Sequence, residues 1–152
     1  LGDDTSGEHA RQEIGEMAGF IGEELGEWGE KLFRPFGRGG SLGPHVFSHK
    51  ALLELGALGY SVLLWNNVPR DWAEPVAWVE TALARLADQS HSVVVLHDLN
   101  TGAMKALPRF LDRLLADGHI CTCDLPDDCM PMRSGVMAWS EEKLAHLVRA
   151  DQ

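Results

Sequence analysis

Ser92-Val93-Val94-Val95-Leu96-His97-Asp98 decides the reading of this chain. Four consecutive apolar residues suit a strand covered on both faces, as in a parallel sheet with helices on either side. The run then stops at an imidazole and a carboxylate. Working outward, three further short apolar runs read as strands: Lys31–Phe33, Tyr60–Trp65 and Ile120–Cys123. Two of these also run into loops rich in reactive side chains, Arg34-Pro35-Phe36-Gly37 and Trp65 through Trp72 (WNNVPRDW). In repeated strand–helix folds, reactive side chains gather at the carboxyl ends of strands.

The stretches between the runs carry helical patterning. Ile14, Met17, Ile21 and Leu25 fall on one stripe, with Glu16, Glu23 and Glu24 outside it. Helices are predicted from Val46 to Leu58, from about Glu74 to Ala87 and from about Ala103 to Asp117. A last helix, Glu141–Val148, is predicted with Ser140 as its cap. No linker or low-complexity segment divides the order. The pattern predicts one α/β domain spanning residues 1–152, with a largely parallel sheet.

Composition narrows the function. The chain has 152 residues, 45% of them hydrophobic, and a formal charge of −10. Phosphate binding needs clustered Lys and Arg, so nucleic acid is not an expected partner. An acidic chain is likewise a poor match for an anionic membrane surface, and no apolar run approaches the ~18 residues that cross a bilayer. A neutral glycan or small amide is compatible. The chain starts at Leu1 with no basic-then-apolar leader, which suggests a processed chain, a fragment or an unusual start. The three cysteines, Cys121, Cys123 and Cys129, cluster in one segment and are expected to be reduced thiols, with a bridge from Cys129 to a neighbour as the alternative. Compartment stays open.

The loops supply the candidate chemistry. His97, at a strand end, can donate or accept a proton near neutral pH. Arg34, beside the rigid Pro35, can orient a carboxylate or bind an anion. Asp71 can pair with Arg34 or tune His97, or it can simply cap a helix. Trp72 can form a wall for a sugar face. His45 and His49 share a helical face at metal-ligand spacing but have no third ligand, so no metal residue is assigned. The glycines from Gly37 to Gly43 lack the Gly-Lys-Ser/Thr of a phosphate-binding loop.

Taken together, Phe33-Arg34-Pro35-Phe36-Gly37, then Trp65…Pro69-Arg70-Asp71-Trp72, then Val94-Val95-Leu96-His97-Asp98 resemble the polysaccharide deacetylase family. This is the NodB-homology domain, or carbohydrate esterase family 4, and the likeness is to the later part of the domain. The resemblance implies a partial, irregular (β/α) barrel and hydrolysis of the acetamide C–N bond of an acetylated glycan or related small amide. It implies zinc or a similar divalent ion for the complete domain. It gives His97 the role of proton donor and Arg34 that of orienting the catalytic base. By the same resemblance Phe36, after Pro35, would help hold the oxyanion, and Trp72 and Leu96 would line the acetyl pocket. The catalytic set read here is therefore His97, Arg34 and Asp71.

The chain departs from the family in definite ways. Asp3-Asp4 follows no strand and lies too close to Arg34 to be the family's metal-binding Asp pair. His9 has no partner His at the family spacing. The Arg motif is one residue short, Val68 stands where the family has an Asp, and Val95 replaces a pocket Leu. The metal cage and the base are not visible in this chain. A partial barrel has open sheet edges, so a homodimer or another association covering them is expected. The competing reading is a non-catalytic α/β module that binds glycans or another partner.

Overall fold

The computed structural model describes residues 8–9, 11–16 and 31–149. It is a mixed α/β chain that divides into two compact units. The first comprises Leu1–Leu64 with Met130–Gln152, and the second Trp65–Cys129. Most of the predicted N-terminal stripe, including Met17, Ile21 and Leu25, lies outside the described residues, as do Asp3 and Asp4.

The first unit holds one small open sheet. Its strands are β1 (Leu32–Phe33), β2 (Ser61–Val62), β3 (Met132–Arg133) and β4 (Val136–Met137), in the order β1-β2-β3-β4. β1 and β2 are parallel, while β2–β3 and β3–β4 are antiparallel. This corrects the expectation of largely parallel strands. The cause is local. Ser134 and Gly135 both have positive φ, 46° and 81°, as a tight two-residue hairpin requires. A hairpin joins antiparallel strands only.

Helices pack beside this sheet. The first, α1 (His49–Ala57), is capped by Ser48, whose Oγ accepts from the Ala51 amide at 3.1 Å. It begins later than the expected Val46 because Phe47 is used as extended chain, bridging Val148. The Phe47 amide donates to the Leu147 carbonyl at 3.1 Å, and the Arg149 amide to the Phe47 carbonyl at 2.9 Å. The same bridge stops the last helix of the unit, Glu141–Ala145, short of the expected Val148. Its cap is the expected Ser140, accepting from the Lys143 amide at 3.3 Å.

At the end of α1, Gly59 turns left-handed at φ 74°, and the Tyr60 amide donates back to the Leu55 carbonyl at 2.9 Å. This glycine-centred cap delivers the chain directly into β2. Phe47, Leu55, Val62, Leu64, Met132 and Leu147 form the center of the core, with Ile14 also buried against it. Arg11 donates to Glu54 of α1 at 2.7 and 3.1 Å, which draws the Glu54 carboxyl below its ordinary range. Burial pushes the Tyr60 hydroxyl up.

The second unit contains α2 (Trp78–Leu86) and α3 (Leu107–Ala116). Trp78, fully buried, stacks tilted against Phe110 with ring centres 5.2 Å apart, and its indole N–H donates to the Ala103 carbonyl at 3.0 Å. The helix predicted from Ala103 is divided. Residues Ala103–Ala106 form a tighter helical turn, and the α-helix starts where Pro108 occupies the first turn, a position that needs no amide proton. α3 closes on Gly118 at φ 79°, with the His119 amide donating to Leu114 at 2.9 Å. With its last helix in Glu141–Ala145, called α4, the chain has no helix among its described residues long and apolar enough to cross a membrane.

Two predicted strands are absent. Ser92–His97 contributes a single parallel bridge, Asn67 to Val94. Ile120–Cys123 forms no strand, and Ile120 is 88% exposed. Leaving α3 through its glycine cap, this segment finds no strand edge to pair with.

The hairpin turn is pressed against α1. The Gly135 amide donates to the Tyr60 carbonyl at 2.8 Å and the Ser134 amide to Ser61 Oγ at 2.8 Å. A methyl group at Gly135 would lie 2.4 Å from the Gly56 carbonyl oxygen. Gly135→Ala should therefore cost about 2–4 kcal/mol, combining a left-handed penalty with a backbone clash. Ser134→Gly, which keeps the amide and relieves its own positive φ, should stay within about 1 kcal/mol of the parent. Urea denaturation midpoints measure both.

Candidate functional site

The site is built on the loop from Trp65 to Trp72 and the segment Val93–His97, both in the second unit. Backbone bonds join them: the Asn67 amide donates to the Val93 carbonyl at 3.2 Å, and the Val95 amide to the Asn67 carbonyl at 2.9 Å. Side chains reinforce the junction. Asn66 Oδ1 accepts from the Val93 amide at 2.8 Å, and Asn66 Nδ2 donates to the His91 carbonyl at 3.0 Å. Asn67, fully buried, donates from Nδ2 to the Ala82 carbonyl of α2 at 3.1 Å. Arg85 of α2 donates to the Val68 carbonyl at 2.5 Å.

The loop then reverses. Pro69 is buried, and Arg70 adopts φ 60°, unusual for a residue with a side chain. The Arg70 carbonyl accepts from the Ala73 and Glu74 amides, both at 2.9 Å. This turn carries Asp71 to full burial and leaves Trp72 half-buried beside it. Asp71 is no helix cap, since α2 starts only at Trp78.

Asp71 is instead engaged twice by His97. The His97 backbone amide donates to Oδ2 at 2.8 Å, and ring Nδ1 lies 2.9 Å from Oδ1. Of the two pairings open to Asp71 in the sequence, the structure gives it this one with His97. An ionised carboxylate only accepts, so the Nδ1 position holds the ring hydrogen and Nε2 is left for proton exchange. The carboxylate side chain is 1% exposed and the imidazole 35%, so the acceptor is dry while the ring reaches solvent. Trp72 meets the imidazole edge-to-face, ring centres 4.7 Å apart at 80°. The indole and the carboxylate together fix the ring.

The structure thus brings Asp71, Trp72 and His97 into one cluster. Leu96, next to it in sequence, is half-buried against the core of α2 and α3. Arg34, Pro35 and Phe36 belong to the first unit, just after β1. There Pro35 is buried, Arg34 is exposed, and Phe36 is 83% exposed. Asn66, Asn67 and Arg85 carry the loop's hydrogen bonds yet lie outside the residues to which the sequence pattern points. The doubled Asn beside a strand end was the available signal, because Asn side chains mimic and bridge backbone.

Among the described residues, no three or more His, Cys, Asp or Glu side chains cluster so as to hold a metal ion. The divalent ion implied by the resemblance therefore finds no donor set among them. Cys121 and Cys123 are exposed free thiols, and Cys129 is a buried one. No family model matches the chain, and no curated protein matches it.

Removing the acceptor tests how far the cluster is structural. Asp71→Ala strands two donors in a dry site and should lower stability by about 2–4 kcal/mol in chemical denaturation. A change under about 0.5 kcal/mol, the scale of an ordinary surface substitution, would mean that water replaces the carboxylate freely.

Proposed function

We propose that this chain carries the proton-delivering part of a deacetylase-type hydrolase, acting on the acetamide C–N bond of an acetylated glycan or a related small amide. One observation carries the reading: a half-exposed imidazole held by a buried carboxylate at Nδ1 and flanked by an indole edge. That arrangement suits general acid catalysis. As the C–N bond breaks, the leaving nitrogen needs a proton, and the Nε2–H of protonated His97 supplies it. Asp71 is a positioning residue: it fixes the orientation of the ring. Trp72 gives the site an apolar wall on which an acetyl or sugar face can rest. The proposal concerns this step and leaves water activation to other groups of the complete protein.

The motif order supports placing the step in the polysaccharide deacetylase family. In that reading the small open sheet belongs to the family's irregular barrel, Arg34 orients the base, Pro35 and Phe36 present the oxyanion-binding backbone, and Leu96 borders the acetyl pocket. The competing reading, a non-catalytic glycan-binding module, draws on the 83% exposure of the Phe36 ring, a ready stacking platform for a sugar.

Acetate release from an acetylated chitooligomer by the full reading frame containing this chain decides between them. His97→Ala should cut kcat by about 10²-fold or more while leaving KM within a small factor, as for loss of a general acid. His97→Ala keeps the residue-97 amide bond to Asp71 but loses the ring bond, so circular dichroism and a melting curve of the variant separate lost proton delivery from lost folding. Unchanged turnover removes His97 from the mechanism. Glycan binding without acetate release, lost in Phe36→Ala, favours the module.

A further inference from the structure

The sheet order places β4 at an edge. Its register determines what that edge offers. Arg133 and Val136 close the two-residue turn and exchange both their backbone bonds. The next pair, Met132 and Met137, is therefore the non-hydrogen-bonded kind. Met132 turns its backbone groups toward β2, and Met137 turns its N–H and C=O outward. No described residue pairs with them.

At this edge Val136 and Met137 present apolar side chains to solvent, while the Trp139 ring carries the Lys143 ammonium 4.0 Å over its centre. Val136 is 69% exposed and Met137 41%. Natural edge strands are guarded by Lys, Pro or inward charges, yet Gly135-Val136-Met137-Ala138-Trp139-Ser140 contains none. Beside the strand lies a largely apolar cavity of about 700 Å³, bordered by Leu53, Met137, Trp139 and Leu144. Leu53 on its rim is 63% exposed.

We propose that Gly135–Trp139 is the surface through which two copies of this chain associate, β4 pairing antiparallel with β4 of the second copy about a two-fold axis at Met137. The self-pairing follows from the register. On a two-fold axis Met137 meets its own copy, and the outward N–H and C=O of each satisfy the other in a closed pair. The second copy also brings the same apolar side chains to the cavity rim. Charge points to the same place. At −10 per chain, two copies repel over most of their surface; Gly135–Trp139 adds no acidic residue of its own, and the Lys143 ammonium over Trp139 sets a positive charge beside Glu141 at the cavity rim. A contact made of two backbone bonds and a few apolar side chains is weak and concentration-dependent. It tightens with salt, the opposite of a contact built on ion pairs.

Sedimentation velocity of the chain, from micromolar to millimolar and at low and high sodium chloride, tests this. The expected result is a monomer–dimer equilibrium that shifts toward dimer with added salt. Val136→Lys and Met137→Pro should each weaken it at least about tenfold, the equivalent of one good interaction. Val136 is exposed, so Val136→Lys should keep the parent melting temperature and separates lost pairing from lost folding. Leu115→Lys, on an exposed position of α3, should leave the dimer intact. A monomer at every concentration overturns the proposal, including one whose edge captures an added apolar peptide. So does a dimer indifferent to Val136→Lys.

Discussion

A fully buried carboxylate with two N–H partners is the constraint around which the second unit is arranged. Burying Asp71 is tolerable only because the His97 amide and ring satisfy its oxygens. That requirement fixes the rest. The Trp65–Trp72 loop must reverse after Pro69, which Arg70 accomplishes in a left-handed conformation. The reversal is held by Arg85 and Asn67 reaching between α2 and the loop. Segment Val93–His97 must end level with Asp71, which the Asn66 and Asn67 bonds enforce. The strained backbone at Arg70 is sustained by its surroundings, as strain near functional groups generally is.

The first unit answers to a different constraint, the close approach of two glycines. Gly56 at the end of α1 and Gly135 in the hairpin turn leave no room for a methyl group between them. This contact seats the β3–β4 hairpin against the helix. It also leaves β4 at the edge with its apolar face uncovered among the described residues. The geometry that completes the small core thus creates the surface assigned here to self-association.

Much of this was legible in the residues. Ser140 caps its helix as expected, and β1, β2 and the three main helices fall within the expected spans. His97, Asp71 and Trp72 were singled out because reactive side chains followed apolar runs, and those three meet. What escaped was tertiary. The run Val93–Leu96 looks like a full strand, but only Val94 finds a bridging partner. Ile120–Cys123 has strand composition without an edge to join. The β3–β4 hairpin escapes a pattern reading because strands two residues long carry no periodicity, although Ser134-Gly135 is a recognisable turn pair. Whether Asp71 caps a helix or holds an imidazole depends on contact across 26 residues of chain, which local pattern does not encode.

The pairing of His97 with Asp71 is decided by which nitrogen carries the His97 ring hydrogen. Long-range proton–nitrogen NMR on uniformly labelled chain reads it directly for each neutral imidazole. The account predicts that neutral His97 holds its hydrogen on Nδ1, toward Asp71, with Nε2 bare, and that Asp71→Asn abolishes this preference. A neutral His97 protonated on Nε2 in the parent chain would contradict it.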